Sequence, residues 1–191
     1  MSLLPPPAPM AEDPVLVALC DAACTITGAA SGWVIAVVGD RLQVVAACGP
    51  AAGSVRWLTV DVDGSAGFVA ASGQPMAITP RPGDPNVAGG VLGAAGVVPT
   101  SLLALPCHHD DDVLGVLELV DKAGGERFTF EDVELATVLA SVAGPALAQR
   151  SAQPAAPAPD VLAAQLRVLA DADPVRYART AWVVQRLVAG P

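Results

Sequence analysis

The sequence predicts an α+β fold, and three observations support this prediction. Two pairs of apolar segments, each joined by a short polar turn, are typical of β-hairpins. Segments with helical spacing of apolar residues and with capping residues precede, separate and follow these pairs. Two further helical segments end the chain. We therefore expect an antiparallel sheet packed against helices, followed by a C-terminal helical hairpin.

The first predicted element is a helix. Residues 1–11 are rich in proline, and we expect this lead-in to be disordered. Asp13 and Pro14 are a typical N-cap and first-turn residue, and apolar residues then recur with helical spacing until Gly28. The pattern predicts a helix that ends before Gly28.

A hairpin follows this helix. Residues 33–38 and 42–47 are short runs rich in β-branched residues, and Gly39 and Asp40 between them suit a tight turn. Both faces of the first run are apolar, which predicts a central strand that is covered on both sides.

The middle of the chain is predicted to contain a helix, a strand and a long loop. Small residues over 64–72 suit a helix that Gly73 ends, and residues 75–79 predict a third strand. Residues 80–98 are rich in glycine and proline, so we expect a loop with one short helix. Loops of this length inside compact domains are frequently functional.

A second hairpin is predicted over residues 101–107 and 113–121, with the His-His-Asp-Asp-Asp segment 108–112 as its turn. Glu118 lies in the middle of its second strand. An outward position on a partly exposed face of the sheet is the expected placement, and a polar anchor in a pocket is the alternative.

The closing helix begins with a capping-box pattern formed by Thr129 and Asp132. We expect Pro145 to kink or weaken its last turns. The helix also carries an apolar stripe, which consists of Leu135, Leu139, Val142 and Ala146.

The pattern predicts one domain over residues 12–150, a Pro/Ala linker over 151–159 and a helical hairpin over 160–191. The second helix of this hairpin has an apolar face, which must be buried on the domain or on another chain.

Composition limits the class of partner. The net charge of -9 and the isoelectric point near 4.4 disfavour nucleic acid and anionic membranes as partners. The first residues do not resemble a signal peptide, so we expect a cytoplasmic protein. Four dispersed cysteines suit a reduced state in the cytoplasm, and their spacing matches no metal-binding pattern.

Several local motifs follow one another along the chain. They are Gly49 after the second strand, the segment with Gly67, Ser72, Gly73 and Pro75, the TSLLALP segment at 100–106 and the LGVLEL segment at 114–119. In this order, they resemble the motifs of the GAF domain family. The resemblance covers residues 12–150. It implies a GAF/PAS-like antiparallel sheet of about six strands with helices on both faces.

A further motif resembles GAF domains that bind cyclic nucleotides. Lys122, Phe128 and Asp132 match this motif, whereas Asp121 and Val133 stand where it has Asn and Glu. We interpret the three matching residues as a structural brace, in which Lys122 pairs with Asp132 and Phe128 fills the space between them.

The resemblance also implies a ligand pocket between the sheet and the long loop. Carried over by position, the pocket residues are Phe68, Met76, Ile78, Val97, Val98, Ser101, Leu103 and Leu105. For each of them, plain core packing is the alternative. No cofactor and no bound metal are expected.

We therefore expect a non-enzymatic sensory or regulatory module that binds a small molecule, a partner protein of a signalling system, or both. The family implies a homodimer through residues 12–27 and 129–150. Two alternatives remain open. One is a ligand-free scaffold for dimerisation and docking, and the other is an enzyme like the free methionine sulfoxide reductases, with Cys107 as a reactive cysteine.

Overall fold

The computed structural model describes residues 12–81, 83–152 and 159–189. Contacts divide the chain into two compact units, Met1–Ala152 and Gln153–Pro191. The lead-in at 1–11, which we expected to be disordered, lies outside the described residues, and so do residues 153–158 of the predicted linker.

A six-stranded antiparallel sheet forms the centre of the first unit, with the strand order β3-β2-β1-β6-β5-β4. Its strands are β1 (Ala29–Val38), β2 (Arg41–Cys48), β3 (Thr59–Asp61), β4 (Met76–Ile78), β5 (Leu102–His109) and β6 (Asp112–Lys122). The strands β1 and β6 occupy the middle. The prediction that the first strand is central and covered on both sides is therefore confirmed.

Helices cover both faces of this sheet. They are α1 (Pro14–Thr27), α2 (Ala52–Val55), α3 (Gly64–Ser72), α4 (Pro85–Ala88), α5 (Gly90–Ala95) and α6 (Phe130–Ala152). The first and last of these share one face, and the four shorter helices lie on the other. The predicted α+β fold, with an antiparallel sheet between helices, is confirmed.

Each face of the sheet has its own hydrophobic core because neighbouring residues of a strand point to opposite sides. In β5, Leu103 and Leu105 pack beneath α1 and α6, whereas Leu102 and Ala104 pack beneath α2 to α5. All four side chains are fully buried. A strand that is buried on both faces therefore has a continuous run of apolar residues in its sequence.

The caps of α1 follow the sequence prediction. The Asp13 carboxylate accepts a hydrogen bond of 2.9 Å from the backbone N–H of Val15, and Pro14 occupies the first turn. Gly28 ends the helix with a φ of 71°, a left-handed conformation that glycine adopts without strain.

The predicted turn of the second hairpin was too long. His108 and His109 belong to the end of β5 and Asp112 begins β6, so that only Asp110 and Asp111 connect the strands. Polar residues extended the strands here because the hairpin ends at the surface, where a side chain does not need to be apolar.

Two segments contain more regular structure than their sequence indicates. The stretch between β2 and α3 holds α2 and β3, and the predicted loop at 80–98 holds two short helices, α4 and α5. These elements are only three to six residues long. Elements this short depend on tertiary packing, so their sequences carry little periodic signal.

The helix α6 has the predicted capping box, and its fully buried residues lie one position along the chain from those of the apolar stripe. The Thr129 N–H donates to Asp132 Oδ2 at 2.6 Å, and the Asp132 N–H donates to Thr129 Oγ1 at 3.3 Å. In the apolar stripe, Leu135 and Val142 are 42% and 49% exposed, whereas Leu139 and Ala146 pack partly against the core. The buried face consists of Ala136, Ala140, Ala143 and Leu147.

Small residues form this buried face because α6 lies very close to β5. A Cβ atom added at Gly144 would lie only 1.8 Å from the carbonyl oxygen of His108. The helix also continues through Pro145 to Ala152, so the expected weakening did not end it. Close packing of the two backbones thus requires a glycine at position 144 and favours small residues such as Ala136, Ala140 and Ala143 on the buried face.

The second unit consists of α7 (Pro159–Ala172) and α8 (Pro174–Ala189), which contact each other. The Asp173 carboxylate caps α8 by accepting a hydrogen bond of 2.9 Å from the N–H of Arg176. The predicted helical hairpin is confirmed. Within the described ranges, no helix has the length and apolar character needed to cross a membrane.

We expect Gly144→Ala to destabilise the first unit by roughly 1–3 kcal/mol, because the added methyl group would push α6 away from β5. Gly53→Ala is the matched control, since a Cβ at this helical glycine meets no atom within 4 Å. Urea denaturation followed by circular dichroism measures both changes. Equal stability of the two variants would contradict the close approach.

Candidate functional site

Glu118 is completely buried in the middle of β6. On the same face of this strand, Val116 and Val120 belong to the core beneath α2 to α5. The side chain of Glu118 therefore points into the centre of the protein, and the predicted outward position is wrong. The tertiary structure provides polar partners for this carboxyl group, which a single sequence does not reveal.

Two side chains from distant parts of the chain bind the carboxyl group. The Trp33 indole Nε1 donates to Glu118 Oε2 at 2.7 Å, and the Ser65 hydroxyl donates to Oε1 at 2.5 Å. Trp33 lies directly opposite Glu118 in the pairing of β1 with β6, whereas Ser65 lies in the first turn of α3. We refer to Glu118, Trp33 and Ser65 as the Glu118 cluster.

Burial raises the pKa of Glu118, and the hydrogen bonds from Ser65 and Trp33 offset this effect only in part. A carboxylate loses its hydration in such a site, so the neutral acid is favoured. The contact with Ser65 persists on protonation if Oε1 then donates to the hydroxyl. A change in the charge of the Glu118 carboxyl group would therefore alter the electrostatic environment of the core.

The start of α3 also contacts the 80–98 segment through backbone atoms. Asp63 caps α3 by accepting a hydrogen bond of 2.7 Å from the N–H of Gly64. A Cβ at Gly89 would lie 2.5 Å from the Asp63 carboxylate, and one at Gly90 would lie 2.4 Å from the Asp63 carbonyl oxygen. The residue after Gly64 is Ser65, so this helix start connects the segment to Glu118.

The rest of the segment is packed over the same face of the sheet. Val87 from α4 and Val91 and Leu92 from α5 are buried in the core that contains Trp33. Asp84 caps α4 through a hydrogen bond of 3.0 Å from the N–H of Asn86. The segment is thus a pair of short helices that packs against α3 on the same face of the sheet as the Glu118 cluster.

Five of the eight predicted pocket residues are divided between the two faces of the sheet. Met76, Ile78 and Val97 are partly buried against the core beneath α2 to α5. Leu103 and Leu105 lie in the core beneath α1 and α6. A pocket under the 80–98 segment can therefore contain the first three, and the two leucines lie across the sheet from it.

The other three predicted pocket residues have different surroundings. Phe68 on α3 and Val98 after α5 are exposed. Ser101 is fully buried, and its hydroxyl accepts a hydrogen bond of 2.9 Å from the backbone N–H of Lys122. This bond connects the start of β5 to the end of β6.

Lys122, Phe128 and Asp132 lie together where β6 leads into α6. The Lys122 ammonium group donates a hydrogen bond to the Asp132 carboxylate, and the two side chains are only 15% and 8% exposed. Phe128, two residues before α6, is buried in the core beneath α1 and α6. Burial raises the pKa of Asp132, but hydrogen bonds from Lys122 and Thr129 outweigh it and hold this pKa below its usual range.

Asp121 has a role that the sequence did not indicate. Its φ is 57°, and its carboxylate accepts hydrogen bonds from the N–H and the hydroxyl of Thr100 at 2.7 and 2.9 Å. Aspartate and asparagine adopt this left-handed conformation more readily than other side chains. The related motif has Asn at this position. Like Asn, Asp121 is a short polar residue that suits the left-handed conformation and can bind Thr100.

One cavity lies next to this region. It has a volume of about 210 Å³ and is lined by Ala77, Ile78, Thr79, Arg127 and Phe128. Of these residues, Ile78 is a predicted pocket residue and Phe128 belongs to the brace. The cavity therefore lies between the two sets, at the β4 edge of the sheet. The described residues contain no group of three or more His, Cys, Asp or Glu side chains that could hold a metal ion.

Sequence reasoning missed Trp33 and Ser65 as partners of Glu118. A usable signal did exist, because Glu118 interrupts an otherwise apolar strand that is predicted to lie in the sheet. Such a carboxyl group needs donors if the strand is central, and an indole or hydroxyl group on a neighbouring element can supply them.

The model of the GAF domain family matches residues 13–147 of the chain. Among solved structures, the second GAF domain of DevS from Mycobacterium smegmatis is similar, with 27% sequence identity and a TM-score of 0.57. The similarity covers 73% of this chain and 94% of that one. A comparison with curated protein sequences finds no match.

Two more distant structures share the fold. The GAF domain of an Acinetobacter phosphoenolpyruvate-protein phosphotransferase is 15% identical, with a TM-score of 0.59 and coverage of 72% of this chain and 82% of that one. A type II free methionine-R-sulfoxide reductase from Thermoplasma acidophilum is 13% identical, with a TM-score of 0.55 and coverage of 70% and 89%.

We expect Glu118→Gln to stabilise the protein relative to wild type at pH 8 and to have a smaller effect near pH 5. A raised pKa in the folded state gives stability at low pH that is lost as the pH rises from the unfolded to the folded pKa. The difference amounts to about 1.4 kcal/mol for each tenfold change in the ionisation constant.

Urea denaturation at several pH values measures this difference. Asp132 titrates in both proteins and cancels from it. Glu118→Ala is the control, because it leaves Trp33 and Ser65 without their partner and destabilises at every pH. A constant difference between Glu118→Gln and wild type from pH 5 to 8 would show that the carboxyl group is not preferentially neutral in the fold.

Proposed function

Because the chain belongs to the GAF domain family, we propose that it is a non-enzymatic sensory module that binds a small molecule in signal transduction. GAF domains are typically sensory or regulatory. One observation carries the proposal: the 80–98 segment contacts the start of α3, whose Ser65 binds the buried Glu118. A ligand beneath this segment would therefore act on the centre of the sheet.

The mechanism we propose is a shift between two populated conformations. A ligand that contacts Met76, Ile78 and Val97 would displace α4 and α5, and with them the start of α3. On β6, Glu118 alternates with Leu117 and Leu119, which pack beneath α1 and α6. Strand β6 would thus transmit a change from the ligand side of the sheet to the opposite helices.

The output we propose is the geometry of a homodimer formed through residues 12–27 and 129–150. Both segments carry large apolar side chains that are exposed in the single chain, and such patches commonly mark interfaces. They are Val15 and Ile26 on α1, and Phe130, Leu135, Val138 and Val142 on α6. The exposed stripe of α6 thus supports an interface with a second copy.

The second unit is proposed to dock a downstream signalling protein in the cytoplasm. Its exposed apolar residues include Leu162, Val168 and Val175. The net charge of -9 disfavours nucleic acid and anionic membrane surfaces as partners. An apolar protein surface is the kind of partner that these side chains fit.

Two observations bear on the alternatives. Burial raises the pKa of Cys107 to about 12, which makes it a poor nucleophile and counts against a reductase that depends on it. The tight packing of Val91 and Leu92 over the sheet favours the ligand-free scaffold, in which the segment is only a structural cover. The sensor requires the 80–98 segment to move when a ligand binds, whereas the scaffold does not.

We expect a bound ligand to change amide hydrogen exchange in residues 83–98 and at the start of α3. A panel of cyclic nucleotides, nucleotides, amino acids and 2-oxoacids is first tested for binding by native mass spectrometry. Exchange is then measured with each bound compound, and residues 159–189 serve as the internal control. Binding without any change in 83–98 would contradict the proposed mechanism, and no binding would support the scaffold.

We expect the double variant Val138→Glu, Val142→Glu to convert a dimer to a monomer, because charged side chains would be buried in the interface. Val38→Glu is the control, since Val38 is also exposed, at 54%, but lies at the end of β1. Sedimentation velocity measures the state of each protein. A wild-type monomer, or dissociation by Val38→Glu, would argue against this interface.

A further inference from the structure

Three of the four cysteines lie together where α1 packs on β2. Cys20 and Cys24 are one helical turn apart on α1, and Cys48 is the last residue of β2. The Sγ atoms of Cys24 and Cys48 are 3.4 Å apart. We call these three residues the thiol cluster, and all are free thiols in the structure.

The backbone of β1 leaves room for this contact. Gly32 is the pairing partner of Cys48 across β1 and β2. A Cβ added at Gly32 would lie 2.9 Å from Cys24 Sγ, so a larger residue would displace the thiol. The glycine therefore allows the side chain of Cys24 to reach down to the sheet beside Cys48.

The members of the cluster differ in exposure and in acidity. Cys20 is fully buried, whereas Cys24 is partly exposed and provides access from solvent. Hydrogen bonds from Cys20 and Cys24 lower the pKa of Cys48. The same bonds, together with burial, raise the pKa values of Cys20 and Cys24. Cys48 is thus the thiol most readily converted to a thiolate, which is the reactive form.

We propose that Cys24 and Cys48 form an oxidation site, at which a hydroperoxide converts the two thiols into an intramolecular disulfide that links α1 to β2. The contact between the two sulfur atoms carries this inference. A disulfide needs an S–S distance of about 2.0 Å, so the two sulfur atoms, which are 3.4 Å apart, must approach each other by about 1.4 Å.

The reaction balances with one peroxide. The Cys48 thiolate attacks the peroxide O–O bond, forms a sulfenic acid and releases hydroxide, which takes up a proton to give water. The Cys24 sulfur then attacks the sulfenic sulfur, the S–O bond breaks, and the thiol proton leaves with the hydroxyl group as a second water. Two thiols and one hydrogen peroxide thus give one disulfide and two waters.

The disulfide would fasten α1 to the sheet independently of any ligand. The helix α1 also contacts α6, so oxidation restrains the pair of helices that we propose as the dimer interface. Only this consequence depends on the proposed function. The oxidation site itself depends on the geometry of the thiol cluster.

The test is peptide mapping of the full chain after treatment with hydrogen peroxide and alkylation of the remaining thiols. Cleavage before Asp21, Asp40 and Asp61 places Cys20 outside the peptides 21–39 and 40–60, which contain Cys24 and Cys48 respectively. We expect these two peptides to be joined, to separate on reduction, and to leave Cys20 and Cys107 alkylated.

Variants provide the controls. Cys107→Ser removes a buried thiol of the same core that lies outside the thiol cluster and is expected to retain the linkage, whereas Cys24→Ser is expected to lose it. The effect of the disulfide on the proposed dimer is tested separately, by measuring dimerisation before and after oxidation. The proposal is overturned if the wild-type chain keeps four alkylatable thiols, if the linkage joins Cys48 to Cys20, or if only links between chains form.

Discussion

The burial of one carboxyl group between an indole and a hydroxyl group constrains the rest of the domain. Glu118 has no access to water, so both of its oxygens need partners within the protein. Trp33 supplies one because β1 is paired with β6 in a register that places it directly opposite, and Ser65 supplies the other because α3 begins above the strand. A register slip of one residue would turn Glu118 toward α1 and α6. The cluster thus requires strand register and helix position to be correct together.

The two faces of the sheet are covered in different ways. On one face, α6 is a single long helix that lies against β5 through Gly144, and a brace between Lys122 and Asp132 holds its start. On the other face, the two short helices α4 and α5 pack against α3 and touch its start through glycines. Short helices gain little stability from their own hydrogen bonds, so their position depends on packing. This asymmetry suits a module that receives a signal on one face and transmits it from the other.

The thiol cluster lies where α1, the other long helix on the face of α6, packs on β2. The brace fastens α6 by an ion pair, whereas α1 meets β2 through the sulfur atoms of Cys24 and Cys48. Lys122 is the last residue of β6, and the Cys24 sulfur lies close to Gly32 of β1, so both contacts are near the central strands. A ligand beneath α4 and α5 and an oxidant at the thiols would therefore act on the same pair of helices from different directions.

The sequence by itself determined the order of the longer elements, the caps of α1 and α6, the central position of β1 and the helical hairpin at the end. These features depend on residues that are close in the chain, such as Asp13 with Val15 or Thr129 with Asp132, and on the period of apolar residues. Only the tertiary structure decided which side of α6 is buried, on which face Leu103 and Leu105 lie, and that Glu118 points inward. It also brought Cys24 to Cys48 and Ser65 to Glu118. Each of these outcomes depends on groups that are distant in sequence, because a backbone that approaches closely or a buried donor changes which side chain is favourable at a position.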